Sequence, residues 1–310
     1  MANPLTGRDV IEIPDLTRED VHLIVATARD FEERLQRERV IPLLEQYILA
    51  TLFYEPSTRT RLSFEAAMHR LGGRVISVAE VTSSSVSKGE SIDDTVRTIE
   101  QYADVIVMRH PEAGAAHVAA AAIGIPLINA GDGSRNHPTQ ALLDLYTIEK
   151  ERGSVDGQTI ALVGDLKYGR TTHSLAEALV HYQVQLLLVS PAELRMPERV
   201  LQQLQRAGVE YRETEDIEEA VRQADVLYLT RIQRERFPSP ADYDRFQGVF
   251  HVDPALAARS PRNATVMHPL PRVDEISHQV DALPQAAYFR QARNGVYVRM
   301  ALLALVLGAV

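Results

Sequence analysis

The sequence predicts an α/β protein built as two doubly wound parallel-sheet domains joined by a long helix. Three observations predict it. Short apolar, β-branched runs at 48–54, 74–78, 104–108 and 126–129 alternate with segments of helical period through the first half. That alternation is the pattern of a parallel sheet covered on both faces. Residues 153–157 then make a break with turn chemistry, and the alternation restarts with runs at 159–163, 185–189 and 225–230.

Taken in order, the chain opens with a helix over 16–37, with Thr17 as its N-cap and Asp20 at the third helical position. The strand at 48–54 runs into Pro56, after which the period changes. Phe64, Ala67, Met68 and Leu71 share one helical face, and Gly72-Gly73 ends the helix. After the strand at 74–78 comes a polar loop at 82–90. Ser91 caps a helix to Tyr102, and the strand at 104–108 ends on Arg109-His110-Pro111. An alanine-rich helix around His117 leads to the strand at 126–129. Asn136-His137-Pro138-Thr139-Gln140 opens the long helix, which runs to about Arg152. The second half is read as strand 159–163, a helix from Thr171, strand 185–189, a helix from Pro197, a short strand near Val209, helix 217–223 and strand 225–230. A last short strand at 264–267 runs into His268-Pro269-Leu270-Pro271, and the final helix covers 288–307.

Composition bounds the function. A chain of 310 residues, 45% hydrophobic and 24% charged, is ordinary for a globular protein and has room for two cores. A net charge of −9 with no offsetting basic region argues against a nucleic-acid partner. With no cysteine there is no disulfide, thiolate metal site or thiol nucleophile, and no other metal-ligand cluster is visible, so neither metal nor cofactor is expected. The apolar run at 300–310 is too short to span a bilayer and reads as a buried helix; no membrane is expected. No basic-then-apolar leader opens the chain, and the expected location is cytoplasmic.

The chemistry is concentrated just after the predicted strands, where open parallel sheets bind ligands. Ser57-Thr58-Arg59-Thr60-Arg61 makes Ser57 a natural N-cap and places three hydroxyls and two guanidiniums on the first turn of a helix, whose backbone N–H groups lack intrahelical partners. A capped, solvated first turn would account for the hydroxyls alone. Two cations at a positive helix end need an answering anion, which makes this a phosphate site. Arg109 ends a buried strand. His137 and Gln140, three apart at a helix start, share a face suited to a carbonyl oxygen and an amide NH₂. Arg170, following Asp165-Leu166-Lys167-Tyr168-Gly169, and the Arg231-Ile232-Gln233 tripeptide put two guanidiniums in the second half, a pairing suited to a dicarboxylate. The Val-Gly strand end before Asp165 lacks GxGxxG spacing, which argues against a nicotinamide cofactor. The stiff His268-Pro269-Leu270-Pro271 segment offers carbonyls to an amino group. Lysine occurs only at 88, 150 and 167 among 33 basic residues, and Lys88 sits in the polar loop, where a long ammonium side chain can reach a phosphate.

These segments, with Ser84 to Glu90 and His268-Pro269-Leu270-Pro271-Arg272-Val273-Asp274-Glu275, resemble the aspartate and ornithine carbamoyltransferase family over nearly the whole length. The resemblance implies a carbamoyl-phosphate-binding domain at 1–139 plus 293–310, with the C-terminal helix packing back on it, and an aspartate-binding domain at 140–292. It implies that Ser57, Thr58, Arg59 and Thr60 hold the phosphate of carbamoyl phosphate. Arg109, His137 and Thr60 would polarise its carbonyl, and Gln140 would hold its NH₂. Lys88, Arg170, Arg231, Gln233 and Leu270 would bind L-aspartate, with Lys88 also reaching carbamoyl phosphate and counted, with Arg59, Thr60, Arg109 and His137, among the catalytic residues. Ser84 and Lys88 would come from a neighbouring chain, within a homotrimer whose active sites lie between chains. Regulatory or dihydroorotase-like partner chains occur in the family. Ornithine carbamoyltransferase is the near alternative, but a cationic acceptor suits an acidic, cysteine-bearing pattern that is missing here. A catalytically silent scaffold is the remaining alternative.

Overall fold

The computed structural model describes residues 3–78, 89–237 and 239–310. The chain divides into two compact units: residues up to Leu143 together with Arg293–Val310, and Asp144–Ala292.

The first unit is built on a four-stranded parallel sheet of β1 (Ile48–Phe53), β2 (Arg74–Val78), β3 (Val105–His110) and β4 (Leu127–Asp132), in the order β2-β1-β3-β4. Helices α1 (Arg18–Arg34), α2 (Thr58–Arg70), α3 (Ile92–Glu100) and α4 (Ala115–Ala121) belong to this unit. Strand alternation assigns the core. Ala50, Leu52, Ile106, Met108 and Leu127 pack with Val96 of α3 and Ala115, Ala116 and Ala119 of α4. The small alanines let α4 approach the sheet closely. Thr17 and Asp20 form the reciprocal cap at the start of α1, and Asp20 also takes Arg8 at 3.1 Å. Such a cap contributes about 1 kcal/mol.

The second unit carries a five-stranded parallel sheet of β5 (Thr159–Val163), β6 (Gln185–Val189), β7 (Glu210–Thr214), β8 (Val226–Leu229) and β9 (Thr265–Met267), ordered β7-β6-β5-β8-β9. Its helices are α6 (Arg170–Leu179), α7 (Glu198–Arg206), α8 (Ile217–Gln223) and the short α9 (Pro240–Asp244) and α10 (Pro254–Ala257). The last two were not foreseen, because four- and five-residue helices have no measurable period. Asp253 caps α10 and Ser239 caps α9, both through side-chain oxygens.

Two helices run through the division: α5 (Pro138–Arg152) and α11 (Tyr288–Val306). In the first unit the later half of α11 is almost fully buried from Val298 to Val306, which explains its unbroken apolar sequence. Arg299 donates to Ser63 Oγ at 2.9 Å and lies over the Phe64 ring at 5.1 Å, and Val306 O accepts from Gly7 N at 2.8 Å. A Cβ on Gly295 would lie 2.4 Å from Arg299 Nη1 and 3.0 Å from Leu143 Cδ2, so glycine lets α11 sit against α5. The C-terminal helix thus packs on the first unit, as the resemblance implied. Among the described residues no helix is long and apolar enough to cross a membrane.

The strand orders matter most for function. In the first sheet chain direction across the sheet reverses between β1 and β3; in the second it reverses between β5 and β8. Ligands of such sheets bind where the order reverses, outside the carboxyl ends of the strands. The clusters at 57–61, Arg109, 167–170 and 231–233 lie at or just after the ends of these four strands.

Candidate active site

In the first unit, β1 ends into Ser57, the N-cap residue of α2. Its backbone is extended (φ −155°, ψ 97°), and its side chain makes no capping hydrogen bond. The predicted cap is thus one of position only. Thr58 and Arg59 are exposed, Ser57 is half-buried and Thr60 is buried. No acidic residue lies in this first turn, and Arg61 pairs forward with Glu65 at 3.6 Å. Cations at a helix start cost several tenths of a kcal/mol, which a bound phosphate reverses.

Across the reversal, Arg109 pairs in register with Phe53, and its carbonyl accepts from Tyr54 N at 2.9 Å. Its guanidinium is only 12% exposed and meets the Glu55 carboxylate, with Nε and Nη2 each 3.0 Å from Oε2. Glu55 was not assigned a role from sequence. Its partner lies 54 residues away, so no local pattern signals it. Next along, the His110 ring lies 4.9 Å from that of Tyr54. Burial pushes the pKa of His110 down, against the opposing pull of nearby carboxylates.

His137 immediately precedes α5, and both it and Gln140 are buried. A buried polar knot at the end of β4 holds that approach. Asp132 Oδ1 accepts from Asn129 Nδ2 at 3.1 Å and from Asn136 N at 3.2 Å, and Oδ2 accepts from Gly114 N at 2.8 Å. Asn129 also donates to Ile11 O at 2.9 Å. This knot was not foreseen; its members are ordinary turn residues in sequence. Ser84 and Lys88 lie outside the described residues.

In the second unit, β5 ends at Gly164, whose φ of +124° and whose imagined Cβ, 2.1 Å from Thr230 O, admit only glycine. Asp165 follows, fully buried. Its Oδ1 accepts from Tyr168 N at 2.9 Å and its Oδ2 from Gln233 N at 3.4 Å, while Gln233 Nε2 donates to Tyr168 O at 2.9 Å. One carboxylate thereby ties the loop after β5 to the loop after β8. Burial raises its pKa despite the backbone donors and Lys167, so the ionised form is held at a cost. Arg170, first residue of α6, and Arg231 are both half-buried within these two tied loops. From behind, His173 Nε2 lies 2.7 Å from Leu166 O and its Nδ1 3.1 Å from Arg199 Nη2, and Arg199 pairs with Glu177 at 2.9 Å. The Arg199 donor makes Nδ1 the acceptor, so Nε2 carries the proton.

After β9, Leu270 is a non-glycine residue at positive φ (57°), and the Leu270–Pro271 peptide is cis. Such a φ costs about 1–3 kcal/mol unless surrounding contacts enforce it. Here His268, only 1% exposed, accepts Leu270 N at Nδ1 (2.7 Å) and reaches Glu275 Oε1 from Nε2 (2.6 Å). Glu275 also accepts from Val273 N and Asp274 N, each at 3.1 Å to Oε2. Burial alone would raise Glu275, but the His268 hydrogen bond and these amides hold it below the usual carboxylate range.

Chemically, the first unit presents an anion-ready helix start beside a braced guanidinium and a buried imidazole. The second presents two arginines on loops fixed by one carboxylate, beside a strained backbone segment.

Comparison with known proteins matches two consecutive stretches of the chain to two domain models of one family. Residues 8–150 match the family described as aspartate/ornithine carbamoyltransferase, carbamoyl-P binding domain, and residues 156–306 match its Asp/Orn binding domain. The chain is 56% identical over 302 residues to the aspartate carbamoyltransferase catalytic subunit of Thermococcus onnurineus, covering 97% of each. It is 48% identical to the multifunctional protein URA2 of Saccharomyces cerevisiae, covering 99% of this chain and 14% of that one. Among solved structures it resembles aspartate transcarbamoylase from Trypanosoma cruzi in complex with carbamoyl phosphate and aspartate (TM-score 0.94, 43% identity, 99% and 98% covered). It also resembles the catalytic subunit of M. jannaschii aspartate transcarbamoylase (TM-score 0.88, 51% identity, 96% of each covered).

Proposed function

The chain belongs to the aspartate/ornithine carbamoyltransferase family, and from that premise we propose that it transfers the carbamoyl group of carbamoyl phosphate to the amine of L-aspartate, giving N-carbamoyl-L-aspartate and phosphate. The observation that carries the aspartate reading is Arg170 and Arg231 on two loops bound together by Asp165 and Gln233. Two guanidiniums suit a dicarboxylate and repel a cationic acceptor such as ornithine. The Thermococcus and Trypanosoma relatives, named for the aspartate reaction, support the same choice.

In this reading Ser57, Thr58, Arg59 and Thr60 hold the phosphate at the start of α2. Arg109, His137 and Thr60 polarise the carbamoyl oxygen, and Gln140 accepts from the carbamoyl NH₂. Arg170, Arg231 and Gln233 bind the aspartate carboxylates, and the Leu270 backbone faces the amine. The neutral amine attacks the carbonyl carbon, a C–N bond forms, and the C–O bond to phosphate breaks. The proton shed by the nitrogen is balanced on the phosphate product. Charge builds on the carbamoyl oxygen in the transition state, where preorganised donors are worth most. Arg59 stabilises the leaving dianion. Fixing two reactants in contact lowers the barrier by several kcal/mol, up to about 7–11 in well-oriented cases.

The assembly in this reading is a homotrimer, each site completed by Ser84 and Lys88 of a neighbouring chain, in the cytoplasm. Association with regulatory or dihydroorotase-like chains is compatible with it; the match to one segment of a multifunctional yeast protein shows that a relative of this chain occurs within a larger polypeptide. The deciding assay offers carbamoyl phosphate with either aspartate or ornithine. Carbamoyl-aspartate formation is expected. Citrulline instead would assign the ornithine reaction, and no product from either would leave the silent scaffold.

A further inference from the structure

The buried pair His268–Glu275 stands behind the segment that the reading above places at the amine, and it has no role in that reading. Three geometric facts define it. Nδ1 of His268 accepts the Leu270 amide at 2.7 Å, so that nitrogen carries no proton. Nε2 lies 2.6 Å from Glu275 Oε1 and must be the protonated nitrogen, donating to the carboxylate. Glu275 is itself fixed by the amides of Val273 and Asp274, and the His268 amide donates to Gln291 Oε1 at 2.9 Å, with Gln291 donating to Asp144 at 2.6 Å. The imidazole is therefore a neutral strut of defined tautomer, closed into a ring of hydrogen bonds with the loop it supports.

What the strut supports is the one residue of the loop in the left-handed region. Leu270 at φ 57° leaves that conformation readily unless its amide is held, since leucine gains nothing locally by staying. Releasing this part-buried amide from its acceptor also removes the hydrogen bond that holds the residue in that conformation. We propose that His268, oriented by Glu275, is a positioning residue for the acceptor substrate: it holds the Leu270 backbone in the conformation that receives the aspartate amine. The proposal rests on the assignment of Leu270 to the aspartate site.

The test separates the two ring nitrogens. In His268→Asn the side-chain oxygen takes the place of Nδ1 and keeps the Leu270 acceptor. In His268→Gln the amide nitrogen reaches the place of Nε2 and keeps the donor to Glu275, but the acceptor is gone. KM for each substrate, kcat and amide exchange at Leu270 are measured on the full chain. His268→Gln should raise the KM for aspartate tenfold or more, leave the KM for carbamoyl phosphate within twofold, and speed exchange at Leu270. His268→Asn should return aspartate KM to within about threefold of the unmodified chain and restore slow exchange. A merely structural role predicts equal behaviour of the two variants, or equal movement of both KM values, and either result overturns the proposal. Should His268→Gln fail to fold, Glu275→Gln supplies the same test, with an aspartate-selective rise in KM expected and an unselective change overturning it. If the unmodified chain does not carbamoylate aspartate at all, the functional reading fails; exchange at Leu270 still shows separately whether His268 holds that amide.

Discussion

Glu55 and Arg109 clasp each other across the point where the first sheet reverses its strand order, the guanidinium Nε and Nη2 each 3.0 Å from one carboxylate oxygen. The carboxylate holds the arginine at the carboxyl ends of β1 and β3 before any substrate arrives. It also neutralises a nearly buried cation that would otherwise be costly.

Glu55→Gln keeps the shape but removes the charge that orients Arg109. A hydrogen bond to a charged group is worth about 1.5–3 kcal/mol, which corresponds to roughly a tenfold to hundredfold fall in kcat/KM for carbamoyl phosphate. Steady-state kinetics check it. A change within twofold would mean that Arg109 is positioned by other contacts.

Arg59 is exposed, so Arg59→Ala should cost little stability yet cut turnover by orders of magnitude. Lys88→Ala chains should be similarly inactive. Mixing and reassembling the two should recover partial activity, because some sites in hybrid trimers would hold both an intact Arg59 and an intact Lys88. Absence of recovery after mixing verified by native mass spectrometry would argue against sites shared between chains.

Arg231→Ala removes a guanidinium from the loop that Asp165 ties to the Arg170 loop. The aspartate KM should rise by tenfold or more, with the KM for carbamoyl phosphate changing little. Equal changes for both substrates would count against a role in aspartate binding.

A pH prediction comes from the cluster at the start of α11. The Arg272 hydrogen bond pulls Asp281 from 3.8 down to about 2, while burial and the bond to Asp281 push Tyr288 from 10.0 up to about 12. A depressed carboxylate contributes stability above its unfolded pKa and loses it as pH falls through the folded one; a raised phenol loses its contribution as pH rises from its unfolded to its folded value. The cluster should thus stabilise the second unit between about pH 4 and pH 10. Thermal melts should show the unmodified chain losing more stability than Asp281→Asn between pH 4 and pH 2. Parallel curves would deny the cluster its part in acid sensitivity.

Much of this molecule could be read directly. Helix starts at Thr17 and Ser91, the alternation of strand and helix, the buried end of the chain and the polar clusters after each strand all follow from local pattern, because capping, period and chain polarity act over a few residues. What local pattern missed is instructive: Ser57 occupies the cap position of α2 without its side chain capping, and α9 and α10 were too short to show a period.

By itself, the sequence determined where cationic and hydroxyl side chains gather and which face of each element is buried, since those depend on residue type and spacing. Only the tertiary structure decided the order of strands within each sheet, and with it the two reversal points where those residues become useful. The braces were decided there too: Glu55 finds Arg109 across 54 residues and Asp165 finds Gln233 across 68. The physical reason is that a carboxylate's partner is chosen by which strands lie side by side, and strand adjacency is a property of the packed sheet that no stretch of chain carries alone.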